Sequence, residues 1–188
     1  MSFEPAVLVA AMSALVAAIS AVFTSWNYRR EQINQKLVAA KWKHEYFVDL
    51  LRWSDEGMLL LSEAYHLCEL DPTKMEGNKF FDTRYILRIK LSAPIDRGRW
   101  FFLNSTIEAH GQHKHEAYQG LRPAVLDGLV SAYRAVTALN STDASKNQSI
   151  RAKVEASKRL FTSEIQKILD PRSRDKEFKN LLEKVGDA

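Results

Sequence analysis

Cysteine is nearly absent from this chain of 188 residues, which carries only Cys68. A lone thiol excludes an internal disulfide framework and suits a reducing cytosol, where a free cysteine usually behaves as a small buried hydrophobe. Cys68 falls on an apolar stripe, and burial is the expectation for it. Glycine and proline are also sparse, seven and five residues spread thinly along the chain. With 27% charged residues, that composition excludes a low-complexity or disordered protein. Several short motifs are missing as well: no glycine-rich phosphate loop, no His-Glu-x-x-His, no Cys-x-x-Cys and no Gly-x-Ser-x-Gly. Their absence weighs against the common nucleotide-hydrolysing, zinc-protease, redox and serine-hydrolase classes. The expectation is a protein without catalytic activity and without a cofactor.

The absence with the widest consequence is charge near the start. AVLVAAMSALVAAISAVFTSW, Ala6 to Trp26, holds no charged residue, and only Ser13, Ser20, Thr24 and Ser25 are polar. At a rise of about 1.5 Å per residue such a helix reaches about 30 Å, the hydrocarbon thickness of a bilayer. A secretion signal would carry positive charge ahead of a shorter apolar core, whereas MSFEP carries only Glu4. An interfacial helix would show a charged face, and this run has none. A transmembrane helix is the reading that fits, with residues 1–26 as tail and span and residues 27–188 as a helical domain.

The flanks set its direction. Arg29, Arg30, Lys36, Lys41 and Lys43 follow the run, and no Lys or Arg precedes it. Basic residues are retained on the cytoplasmic side, so the N-terminus is expected outside and the C-terminal domain in the cytoplasm. Trp26 and Tyr28 lie where an interfacial aromatic pair would anchor the cytoplasmic end. Arg29, Arg30 and Lys36 are placed to meet anionic lipid headgroups.

On a helical wheel the run divides by size. Large residues from Leu8 to Trp26 occupy one side, while Ala6, Ala10, Ala14, Ala17, Ala18 and Ala21 line the other. Lipid gives helices no hydrophobic reason to associate, and small residues that let backbones approach are the usual membrane contact surface. The alanine face therefore points to self-association or to a partner helix.

Beyond the run, a 4,3 spacing passes through Ile33, Leu37, Ala40, His44, Phe47, Leu51, Ser54, Met58, Leu61, Tyr65 and Cys68. It predicts a long juxtamembrane helix with a coiled-coil-like seam, ended by Asp71-Pro72, with a kink or restart expected at Ser54 to Gly57. A second helix is expected around Phe81 to Ala93, with Pro94 as a kink or as the start of another helix. Loop is expected over residues 104–122. A third helix should run from Pro123 to about Leu139, and a fourth through Ile150, Val154, Phe161, Ile165 and Ile168. A last short helix, capped by Ser173, would carry Phe178, Leu181, Leu182 and Val185. The fold class is all-α: one N-terminal transmembrane helix and a cytoplasmic bundle of four to five helices.

Candidate chemistry is confined to two places. Lys90, Arg97 and Arg99, the arginines flanking Gly98, could grip a phosphate or carboxylate, or could pair with carboxylates of the chain itself. His110, His113 and His115, with Glu108 and Glu116 beside them, could hold Zn²⁺ or Ni²⁺, although the spacing matches no established zinc signature. Glu63-x-x-His66 occurs once, whereas di-iron bundles need two such motifs. Among the last 44 residues, eleven basic and seven acidic side chains alternate along helices as a solvated face does, which argues against nucleic acid as a partner.

The stretch LSAPIDRGRWFF, followed downstream by AYQGLRPAVLD, resembles a segment of uncharacterised bacterial single-pass membrane-anchored helical proteins. The likeness covers roughly residues 90–130. It implies a bacterial inner-membrane setting and no particular activity. The functional expectation is a non-enzymatic inner-membrane protein whose bundle self-associates or docks a partner at the bilayer. Alternatives are a membrane-tethered sensor or effector of stress or phage defence that binds an anionic ligand, and a metal-dependent enzyme built on the histidines.

Overall fold

The computed structural model describes residues 5–105, 111–170, 172 and 179. Among them are four α-helices and no β-strand. Helix α1 spans Pro5–Leu67, α2 Lys79–Arg97, α3 Ala124–Thr137 and α4 Asn147–Ile168. The all-α expectation is met. Residues up to Tyr46 belong to one compact unit and those from Phe47 to Asp170 to another. In the first unit, α1 from Val7 to Tyr28 keeps its apolar side chains exposed, Val9 at 65% and Val22 at 71%. This apolar helix is long enough to cross a membrane, and none of its most apolar stretch is buried.

The second unit is a helical bundle around two adjoining apolar clusters. One gathers Leu60, Ala64 and Leu67 of α1 and Cys68 just after it with Phe80, Leu87 and Leu91 of α2, Val136 of α3 and Val154 of α4. The other gathers Leu50, Trp53 and Leu61 with Leu126, Leu129 and Ala132 of α3 and Phe161 of α4. Each large side chain removed from water in this way stabilises the fold by about 1.5–3 kcal/mol before the entropy of ordering is subtracted. Trp53, 1% exposed, joins the elements: its indole N–H donates to the Pro94 carbonyl at 2.9 Å. Its ring meets Phe161 and Phe102 at 5.5 Å and Phe101 at 5.9 Å between centroids.

Two expectations about α1 need correction. Ser54 to Gly57 is helical throughout, with no restart. Gly57 is there for space: a Cβ on it would lie 2.7 Å from Cζ of Phe161. Ser54 stays in the helix because its hydroxyl donates back to the Leu51 carbonyl at 2.8 Å. The expected seam holds at Ser54, Leu61 and Cys68, which are buried, but at its alternate positions burial falls one residue earlier: Leu50, Gly57 and Ala64 face inward, while Leu51 is 39% exposed and Met58 and Tyr65 lie at the edge. A globular bundle buries a wider stripe than a coiled coil, and the small residues Gly57 and Ala64 mark its centre.

Pro94 lies inside α2, three residues from its end, where it removes a single ladder hydrogen bond. The helix then tightens into a 3-10 turn at Gly98–Trp100. Gly98 is buried because a Cβ there would sit 2.4 Å from Leu126 and 2.6 Å from Trp53. Between α2 and α3, Ser105 and Leu121 form one isolated antiparallel bridge, with N–H···O bonds of 2.8 and 2.9 Å. Gly120 supplies the required left-handed turn at φ +77°, where a side chain would strike the Ser105 carbonyl. Between α3 and α4, the fully buried Asn147 closes the link by accepting from the Asn140 N–H at 2.8 Å and donating to its carbonyl at 3.0 Å. The expected final helix beginning at Ser173 lies outside the described residues.

Candidate functional site

The sequence-derived candidates separate into three sets in space. Lys90 and Arg97, seven residues apart on α2, each reach a glutamate on α1. Lys90 pairs with Glu63 at 3.2 Å and Arg97 with Glu56 at 2.6 Å, an antiparallel pair of rungs between the helices. All four side chains are between 37% and 50% exposed, so each rung contributes well under about 1 kcal/mol and mainly fixes register. Glu63 is thus engaged by Lys90, and the other half of its motif, His66, bonds Glu69 at 2.9 Å. That contact, helped by Arg151 at 2.8 Å, holds the Glu69 carboxyl below its usual range.

Arg99 takes a different course and turns toward the 111–122 loop. Its guanidinium stacks 4.1 Å over the Tyr118 ring, and its Nη1 donates to the Ala117 carbonyl at 2.9 Å. Asp96 lies 3.8 Å from its Nε, beyond hydrogen-bond reach, and accepts instead from the Tyr118 hydroxyl at 3.2 Å. The Arg99 side chain is only 13% exposed, yet its Nε has no hydrogen-bond partner. Asn104, beside it, donates to the Gln119 carbonyl at 2.6 Å while its own Oδ1 is buried and unpaired.

These groups line an open pocket of about 650 Å³. Its wall also contains His113, Lys114, His115, Arg122 and Asp127. Arg122 reaches Asp127 in the first turn of α3 at 3.3 Å. Among the charged lining residues, Arg99, Lys114 and Arg122 outnumber the single carboxylate of Asp127. The fold therefore brings Arg99 together with two of the three histidines and leaves Lys90 and Arg97 on their glutamate partners. His110 lies outside the described residues, and among the described residues no three His, Cys, Asp or Glu side chains form a group able to hold a metal.

Sequence reading missed Asn104, Lys114, Tyr118 and Arg122 as site residues. Isolated polar residues in a loop carry no periodicity. The available signal was an arginine immediately before Pro123, where a chain entering a helix is held extended.

The remaining candidates sit on α1. Ala10, Ala14, Ala17, Ala18 and Ala21 are exposed, as are Arg29, Arg30 and Lys36. The side chain of Ala6 lies outside the described residues. Comparison of the chain with protein-family models, with curated proteins and with solved structures finds no match.

Proposed function

We propose that the protein is a non-enzymatic, single-pass protein of a bacterial inner membrane. Its N-terminal span carries residues 1–5 outside, and its cytoplasmic helical bundle self-associates or docks a partner at the bilayer. The observation that carries this reading is the apolar stretch of α1 after Val7, which is helical, free of charge and not buried in any part. A core helix of a soluble protein would have cover from its own chain, and large apolar surface left exposed is a contact surface for lipid or protein. Arg29, Arg30 and Lys36 on the C-terminal side of the run support this direction. The row of exposed alanines supports an assembly face on this helix.

The test has two parts. A cysteine introduced at Ser2, in a Cys68→Ser background, should react with a membrane-impermeant maleimide in intact cells, whereas Cys68 alone should not. Labelling of that cysteine only after lysis would reverse the orientation, and release of the protein by carbonate washing would remove the span. For assembly, cross-linking in native membranes should yield an oligomer that Ala14→Leu with Ala17→Leu diminishes severalfold. An unchanged yield would show that the alanine face is not the contact.

A further inference from the structure

The pocket bounded by Arg99, Lys114 and Arg122 goes beyond anchoring and assembly. Its composition is unlike that of an ordinary solvated loop. Arg99 is largely shielded from water, and its position is fixed by the Tyr118 ring and the Ala117 carbonyl. A fixed cation that needs no further ordering is a preorganised anion binder. The buried Nε of Arg99 and the Oδ1 of Asn104 are two of the three buried side-chain polar atoms without a hydrogen bond among the described residues, and both belong to this pocket's lining. Both atoms are closed off from solvent, so they belong to the frame that holds Arg99 and the loop in place, and the acceptor Oδ1 of Asn104 would not face a phosphate oxygen.

We propose that this pocket binds a phosphate monoester. Three cations line the pocket from different elements, Arg99 from the 3-10 turn after α2, Lys114 from the loop and Arg122 from the approach to α3. Donors from three directions suit the tetrahedral, multiply charged phosphoryl group better than a planar carboxylate, which a single guanidinium satisfies. The imidazoles of His113 and His115 add further hydrogen-bonding groups on the same wall. At about 650 Å³ the pocket exceeds a bare phosphate and falls in the range of small-molecule sites, leaving room for the organic part of the ester. Asp127 offsets part of this charge through Arg122 at 3.3 Å, and three cations against one lining carboxylate still leave the wall basic.

A phosphate monoester can arrive free in solution or as a lipid headgroup, and the experiment separates the two. The full chain in detergent is titrated calorimetrically with glycerol 3-phosphate, and the full chain in nanodiscs is compared in phosphatidylcholine with and without phosphatidic acid. A soluble ligand predicts a saturable one-site isotherm with glycerol 3-phosphate. A headgroup ligand predicts weak binding of that probe, together with hydrogen-exchange protection of residues 111–122 only in discs containing phosphatidic acid. In either arm Lys114→Glu and Arg122→Gln, both at positions outside the apolar clusters, should weaken binding about tenfold or more, as loss of a charge-assisted hydrogen bond does. Arg97→Ala, which disrupts only the Glu56 rung, should leave it unchanged. The proposal is overturned if neither probe binds, if the Lys114 and Arg122 variants bind as the wild type does, or if Zn²⁺ binds stoichiometrically and phosphate does not compete. Failure of the anchoring reading would show in carbonate washing and would leave these titrations interpretable.

Discussion

Replacing Gly57 by alanine sets two known effects against each other. In an exposed helix interior the change stabilises by about 1 kcal/mol, because alanine loses less backbone entropy on folding. Here the new Cβ would lie 2.7 Å from Cζ of Phe161, with Cε1 and Cε2 at 3.2 and 3.4 Å. Restoring ordinary carbon contact near 3.5 Å requires the ring to retreat by about 0.8 Å. Phe161 is fully buried, Trp53 packs against its ring at 5.5 Å, and Gly128 already approaches its Cβ and backbone from α3. The ring has nowhere to go, so the cost belongs in the upper part of the about 1–3 kcal/mol range for overpacked cores. Gly57→Ala should therefore destabilise the bundle by about 2 kcal/mol net, some thirtyfold in the folding equilibrium. Denaturant unfolding of the full chain in detergent, followed by the emission of Trp53, measures it. Trp26, Trp42 and Trp100 are 59%, 68% and 79% exposed and contribute little to the shift. A double-mutant cycle with Phe161→Leu, which removes the crowding atom, should return a coupling of at least about 1 kcal/mol in the compensating direction. If Gly57→Ala is stabilising, or if the two changes simply add, the close packing of α1 on α4 is wrong.

Two further outcomes can be checked in the same way. Asn147→Ala should cost about 3 kcal/mol, because it leaves both the N–H and the carbonyl of Asn140 without their buried partner; Asn147→Asp, which keeps only the acceptor, should still be destabilising, and parity with wild type would dismiss the clamp. Burial pushes the Cys68 thiol up from 9.0 to about 11, with Arg151 opposing and Glu69 assisting. The folded value lies above the unfolded one, so the contribution is fully present below pH 9 and is lost as pH rises toward about 11. The stability difference between wild type and Cys68→Ala should shrink across that window, and parallel curves would refute the assignment.

Long-range order was legible where it follows period and punctuation. Asp71-Pro72, Pro123 and the apolar spacing of Ile150, Val154, Phe161 and Ile165 placed the ends and faces of the helices nearly as observed. The seam on α1 was less legible, because period alone cannot rank a leucine against a glycine or an alanine. Leu51 looked like a core residue and Gly57 like a break, yet a helix packs closest where its own side chains are smallest. The arginines around Gly98 were legible as a charged cluster, but their division was not. Arg97 continues α2 and meets Glu56, whereas the 3-10 turn at Gly98 swings Arg99 toward Tyr118, 19 residues on. That divergence depends on Trp53 and Leu126 holding Gly98 in place, and neither is near it in sequence. The pocket was invisible for the same reason: its residues come from segments that no local pattern connects.

The bridge between Ser105 and Leu121 makes the loop behind it a closed ring in mechanical terms, joined by two backbone N–H···O hydrogen bonds of 2.8 and 2.9 Å. Both amides exchange with solvent only when that ring opens, so their exchange rates form a built-in gauge of strain in the 111–120 segment. Anything that tightens or pries apart the wall beneath Arg99 will register at those two positions before it disturbs the helices. Residues inserted beyond them should lengthen the ring at little energetic cost, since closure entropy grows only logarithmically with length.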